Sequence, residues 1–404
     1  MEFSRRIQNL QASPIRKFIP MVDRVEAEGV DVIRLNIGQP DIPTPPDFLE
    51  AVRAYDVDVL EYQNSRGMKR TLETTQLYLH NYGLDFDLDE ICITNGASEG
   101  IAMAVTVLCN PGDAILAMEP FYTSYNAFAQ AQEVEIVPVR TYAEDGFVVP
   151  PLEAWDAAIE ASGKKDKLRA FLLSSPANPT GRVYSEDEMR IIMQVVQKYD
   201  LWLIADEVYR EFNYTDRPFH SFAEYPEIAD RTILVDSISK KYSACGARIG
   251  SLASKNKAFN DYVLKLCQSR LCVSTLDQIG AGAMDNVDDA YVEHNRKVYK
   301  QRRDALRKRL NQLDGVVAPE PEGAFYIVIK LPVDNAETFI LWMLEHFRKD
   351  GKTLLMTPAA AFYATPDMGL DEVRVSYCVA EERLMEAMDI LEEALKAYPG
   401  RKTV

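Results

Sequence analysis

Between residues 89 and 254 the chain repeats one pattern: a short apolar run rich in β-branched residues, then a longer stretch with apolar residues three and four apart. The short runs fall at 91–94, 114–118, 134–139, 170–174, 202–205, 233–236 and 250–253. Apolar runs of this length read as strands buried on both faces, and strands separated by helices pair in parallel. The expectation is an α/β fold whose large domain has a mainly parallel seven-stranded sheet between helices. Amphipathic spacing marks helices at 71–82 and 185–199, and the prolines of 40–46 read as a crossing between domains. After residue 288 the pattern becomes α+β. A charged helix over 288–313 has Tyr291, Val298, Ala305, Leu306 and Leu310 as its expected buried stripe. Strands follow at 323–329 and 373–377, then an amphipathic helix over 381–397 and a frayed end at 400–404.

The chemistry concentrates in residues 236–250. Ser237 and Ser239 precede Lys240, Arg248 follows eight residues later, and the apolar run Thr232-Ile233-Leu234-Val235 leads in. A lysine just past a buried strand can be desolvated enough to act as an amine nucleophile. Hydroxyls and a guanidinium suit a phosphate held beside that amine. The set describes a Schiff-base lysine with an anchor for the phosphate of pyridoxal phosphate (PLP); on this segment alone, a solvated Lys-Lys turn is the alternative. Burial and Arg248 should lower the pKa of Lys240, and Lys241 should point the other way.

Two further strand ends carry matching groups. Leu201-Trp202-Leu203-Ile204-Ala205 runs into Asp206, at the edge where open α/β sheets bind ligands. A carboxylate there would keep a pyridine nitrogen protonated, so that the ring can accept electrons from a carbanion. Tyr209, three residues on, and Asn178, in the turn Asn178-Pro179-Thr180-Gly181, could both bind the phenolic oxygen of that ring.

With these residues in this order, the chain resembles the PLP-dependent aminotransferases related to aspartate aminotransferase, class I/II and fold type I, over nearly its whole length. The resemblance implies that Lys240 carries the cofactor, Asp206 faces the pyridine nitrogen, and Asn178 and Tyr209 hold the phenolic oxygen. It places Ser237, Ser239 and Arg248 at the phosphate, with Gly96, Ala97 and Ser98 of the glycine turn Asn95-Gly96-Ala97-Ser98-Glu99, a helix start that can bind an anion. Tyr122 would stack on the ring, Tyr125 would support Asp206, and Tyr62 would reach the phosphate of a neighbouring subunit. Gly38 and Arg374 would line the pocket of the substrate α-carboxylate, where a planar guanidinium gives geometry as well as charge. The family further implies a homodimer with shared active sites, and a small domain built jointly from the N-terminal arm and the C-terminal part. The resulting division is 1–46 for the arm, 47–287 for the large PLP-binding domain, and 288–404 for the interdomain helix and small domain. The chain departs from the family at Ala247, at Pro358-Ala359-Ala360-Ala361 and at Ser98, where substrate choice could change.

Composition narrows the rest. A net charge of −17 disfavours nucleic acid or an anionic membrane as partner. The six cysteines include no CxxC pair and fit packed free thiols in a reducing cytoplasm, with Cys267 and Cys272 the nearest to the site. The start lacks a secretory h-region, and no stretch has the length and apolarity of a membrane span. The leading reading is transamination between an amino acid and a 2-oxo acid, aspartate or glutamate first, with Lys240 shuttling the Cα proton. A neutral-substrate aminotransferase, a PLP lyase or decarboxylase, and a PLP-binding regulator are the alternatives. In animal-type relatives an arginine four residues before a Ser-Asn-Pro reads the distal carboxylate from the other subunit. Arg270 stands four before Ser274, although Thr275-Leu276 replaces Asn-Pro; it either takes that role or pairs with an acidic neighbour.

Overall fold

The computed structural model describes residues 3–402 except 9, 11, 12 and 15. The first strand, β1 (Asp31–Arg34), lies apart from the next seven. These are β2 (Ile91–Thr94), β3 (Ala114–Glu119), β4 (Glu135–Arg140), β5 (Leu168–Ser174), β6 (Trp202–Asp206), β7 (Thr232–Ser237) and β8 (Gly250–Ser254). They form one sheet in the order β2-β8-β7-β6-β5-β3-β4, parallel except that β8 runs antiparallel to both β2 and β7. Along β5, Ala170 and Leu172 join an apolar cluster with Ile101, Val105 and Phe259, while Phe171 and Leu173 join one with Trp155, Ile192 and Val195. Successive side chains alternate between faces, so a strand covered on both sides must be apolar throughout.

Strands β6 and β7 each continue past their last apolar residue. Asp206 pairs with Val235, and Ser237 with Gly250. The hydrogen-bond ladder, not side-chain polarity, ends a strand, and it brings Asp206 and Ser237 to the sheet's carboxyl edge. Ser185 caps the helix Glu186–Lys198 through a reciprocal pair of bonds with Glu188, which sets its start.

The remaining strands, β9 (Tyr326–Lys330), β10 (Lys352–Leu355), β11 (Thr357–Pro358) and β12 (Glu372–Ser376), make two small sheets, β1-β10 and β11-β12-β9. Phe18, Val22, Val25 and Ile33 from the N-terminal part share one core with Leu384 and Leu391 from the C-terminal helix Glu381–Ala397.

Three expectations need correction. The long helix spans Asp289–Leu310, and its buried residues are Asn295, Tyr299, Arg303, Leu306 and Leu310. Asn295, Tyr299 and Arg303 thus take the place of Tyr291, Val298 and Ala305, which are only partly buried; Arg303 is buried because its guanidinium donates to the Pro321 carbonyl at 2.8 Å. The strand expected at 323–329 begins only at Tyr326, since Ala324 takes a positive φ of 55° and bends the backbone away from the ladder. At the tail, Arg401 bridges to Val333 and the Lys402 N–H donates to the Pro332 carbonyl at 2.8 Å, so the chain is held there, while residues 403 and 404 lie outside the described residues. Among the described residues no helix is long and apolar enough to cross a membrane.

Gly250 is where β8 meets the glycine turn. A Cβ on it would stand 2.6 Å from the Gly96 carbonyl carbon, 2.7 Å from the Ala97 nitrogen and 2.8 Å from the Asp236 oxygen, all backbone. Gly250→Ala should therefore lower stability by about 1–3 kcal/mol, the usual cost of overpacking, as read from the urea midpoint of unfolding at unchanged m-value.

Candidate active site

The carboxyl ends of β5, β6 and β7, the start of the helix Gly96–Leu108 and residues 37–39 enclose one cavity of about 690 Å³. Its floor is Asp206. The side chain is buried, Tyr125 donates to Oδ2 at 3.0 Å, and Oδ1 has no hydrogen-bond partner. Burial, opposed by the Tyr125 and Val208 hydrogen bonds and helped by Asp236 and Glu207, pushes its pKa up to about 7.

Beside it stands a short helix, Ile238–Lys241, capped by Ser237, whose Oγ accepts from the Ser239 N–H at 3.1 Å. Lys240 points into the cavity and donates to the Gly38 carbonyl at 2.8 Å, with Cys245 Sγ 3.7 Å away. Lys241 turns the other way, donating to Asp236 Oδ2 at 2.6 Å with its ammonium 3.1 Å from the centre of the Tyr78 ring. The lowered pKa expected for Lys240 is not found. Burial does push it down, but Tyr326, Cys245, Cys378 and Tyr122 outweigh burial and the net shift is upward. Arg248 is not among the groups that shift it; its guanidinium lies against Gly96 and donates to the Cys245 carbonyl at 3.0 Å. Arg248, Ser237, Ser239, Ala97 and Ser98 thus gather at one end of the cavity.

At the other end Arg374, on β12, is 1% exposed. It donates to Asn178 Oδ1 at 3.2 Å and to the Asn36 carbonyl at 2.7 Å, and its Nε is unpaired. Asn178 Nδ2 donates to Tyr209 Oη at 3.4 Å, Tyr209 Oη lies 3.0 Å from Tyr326 Oη, and Tyr326 donates to the Gly38 carbonyl at 3.5 Å. Gly38 has no room for a side chain, since a Cβ there would lie 1.7 Å from Tyr326 Oη.

Residues 30–391 match the family model described as aminotransferase class I and II. The chain belongs to that family. It is 31% identical over 396 residues to the aspartate aminotransferase of Thermotoga maritima, covering 98% of this chain and 99% of the relative. Aromatic-amino-acid aminotransferase 2 of Thermococcus litoralis is 30% identical over 405 residues, covering 98% and 99%. The solved alanine aminotransferase of Pyrococcus furiosus superposes with a TM-score of 0.88 at 27% identity, covering 98% of this chain and 100% of that one. The protein is a PLP-dependent aminotransferase.

The cavity fits that cofactor. The orphaned Asp206 Oδ1 lacks a donor, which a protonated pyridine nitrogen supplies, and the Arg248 end offers hydroxyls, backbone N–H groups and a guanidinium for a phosphate. Tyr122 lines the wall between them. Two residues expected to serve a neighbouring subunit's site lie off this subunit's own cavity. Tyr62 is 80% exposed on the surface. Arg270 donates to Glu99 Oε2 at 3.0 Å and to the Ser65 carbonyl at 2.9 Å, the acidic pairing that was its alternative. Among the thiols, Cys245 and not Cys267 or Cys272 faces the cavity, because the turn after Lys240 folds it back on the Ser239 carbonyl.

Sequence reasoning missed Tyr326, Cys245 and Arg16 as lining residues. Tyr326 had one signal: a phenol inside an otherwise aliphatic strand needs a partner for its hydroxyl.

Because the folded chain binds the Asp206 proton more tightly than the unfolded chain, the cofactor-free protein loses stability as pH rises from about 4 to about 7, with no further loss above. Asp206→Asn removes this effect. Without cofactor the variant should unfold at higher urea than the parent at pH 8, by up to about 4 kcal/mol at 1.36 kcal/mol per pH unit, and show no advantage below pH 4.

Proposed function

We propose that this aminotransferase transfers the amino group of aspartate or glutamate to 2-oxoglutarate or oxaloacetate. The carrying observation is the placement of the Lys240 amine and the Arg374 guanidinium on one cavity, joined through Gly38, Tyr326, Tyr209 and Asn178. Arg374 holds the α-carboxylate, a pairing with two parallel hydrogen bonds that orients the substrate about its Cα. Lys240 Nζ takes the Cα proton and carries it as an ammonium. PLP, when bound, supplies the electron sink that makes the Cα–H acidic. Asp206 would hold the proton on the pyridine nitrogen, and Asn178 and Tyr209 would hold the phenolic oxygen. Burial keeps the Tyr209 phenol protonated, so it serves as a donor.

The choice of a dicarboxylic donor is supported by the Thermotoga relative. Neutral donors are the second reading, supported by the names of the Thermococcus and Pyrococcus relatives. The molecule acts as a homodimer in this proposal. Val59 at 68%, Leu60 at 56% and Tyr62 at 80% exposed form an apolar stretch that suits a subunit contact, with Tyr62 reaching the partner's phosphate. Residues 47–287 form the large domain and 1–46 with 288–404 the arm, connecting helix and small domain. Its six free thiols suit a reducing cytoplasm.

The test is the pair of half-reactions. Aspartate should convert the yellow aldehyde form of the cofactor to the amine form, and a 2-oxo acid should reverse it. Decarboxylation or elimination without that interconversion would favour a lyase. Borohydride reduction of the holoenzyme should fix the cofactor on Lys240, and peptide mapping that put it on Lys241 would overturn the assignment. Arg374→Ala should lower kcat/KM by roughly 100-fold or more for every donor alike, because each carries the same α-carboxylate.

A further inference from the structure

Among the described residues, five ionic side chains face the cavity: Arg16, Asp206, Lys240, Arg248 and Arg374. The cofactor fit and the proposed function use four of them and leave Arg16. Its neighbours are committed elsewhere. Lys17 pairs with Glu337 at 2.5 Å, and Phe18 is 4% exposed in the core shared by the N-terminal and C-terminal parts. The backbone is held as well, since the Arg16 N–H donates to the Ser13 carbonyl and the Ile19 N–H donates to the Arg16 carbonyl, both at 3.1 Å. Arg16 itself is exposed at the cavity and has no acidic partner among the described residues. Residue 16 thus presents an uncommitted guanidinium to the space where substrate binds.

Substrate geometry says which substrate atoms it meets. An amino acid Cα has four substituents. The amine goes to the cofactor, the proton to Lys240 and the carboxylate to Arg374. The side chain is left to the rest of the lining, which includes Ser13, Arg16 and Ile37. We propose that Arg16 is the residue that selects dicarboxylic substrates, pairing with the distal carboxylate from within the same subunit. This rests on the transamination reading and on Arg374 as the α-carboxylate site. Arg270 is paired with Glu99 and does not line this cavity. A guanidinium prefers a carboxylate to an aliphatic or aromatic side chain because two charge-assisted hydrogen bonds replace its water.

The experiment compares holoenzyme of the parent, Arg16→Ala and Arg16→Lys with aspartate, glutamate, alanine and phenylalanine as donors. The readout is the ratio of kcat/KM for the dicarboxylic donors to that for the neutral ones. The parent should favour the dicarboxylic donors, and Arg16→Ala should lower the ratio by roughly 10- to 100-fold, a contact partly open to water. Arg16→Lys should recover part of it, since charge is kept and the bidentate fork is lost. Calorimetry with succinate and butyrate, which cannot react, should show the same drop in the succinate-to-butyrate affinity ratio. A ratio within threefold of the parent's in Arg16→Ala, or a parent that favours alanine or phenylalanine, overturns the assignment of Arg16 and leaves the transamination reading intact. A parent that transaminates no donor overturns that reading itself.

Discussion

The contact between Tyr209 Oη and Tyr326 Oη, 3.0 Å long, is where the two parts of the molecule become one site. Tyr209 follows β6 of the central sheet, and Tyr326 begins β9 of a small sheet. From it hydrogen bonds lead one way through Asn178 to Arg374 and the other way through the Gly38 carbonyl to Lys240. In the proposed reaction the base for Cα and the clamp for the α-carboxylate must keep a fixed separation, because a misplacement of about 1 Å can cost roughly 100-fold in rate. Both phenols are buried and held protonated, so the link is made of neutral groups and does not change near neutral pH.

Charge is distributed so that each ionic group has one job. Beneath the cavity, Lys241 is neutralised by Asp236 and Arg210 by Glu207, two buried pairs that take no part in binding. A buried pair costs nearly as much in desolvation as it returns, and losing one partner leaves a charge stranded. These pairs therefore keep their members out of the cavity. Asp206 is the contrary case, a buried carboxylate with one oxygen unsatisfied and a raised pKa. Such a group destabilises the cofactor-free fold, and its placement makes sense only with a cationic donor bound.

The strand–helix alternation and the convergence of residues 178, 206 and 240 on one cavity were legible because each rests on local pattern. Strands buried on two faces are apolar whatever their neighbours are, and a reactive side chain follows the strand end that positions it. Where a tertiary partner sets the outcome, local pattern failed. The buried stripe of the helix Asp289–Leu310 includes Arg303, made acceptable by the Pro321 carbonyl eighteen residues on. The bend at Ala324 appears only with its backbone contacts to residues 181 and 212 in place. Spacing suggested Arg270 for the pocket, yet Glu99 and the Ser65 carbonyl claim it across the fold.

By itself the sequence determined the class of fold, the family and the cofactor, because periodicity and short motifs are properties of neighbouring residues. Only the tertiary structure decided which cations stay uncommitted. Arg16 and Arg270 are both arginines with unremarkable neighbours in the chain, and nothing in their spacing separates them. They differ because one finds a carboxylate on the helix Gly96–Leu108, while the other reaches the open cavity with its ion-pairing neighbour, Lys17, turned away to Glu337. Whether a guanidinium is satisfied depends on charges brought near by folding, and those distances are set by packing rather than by sequence separation.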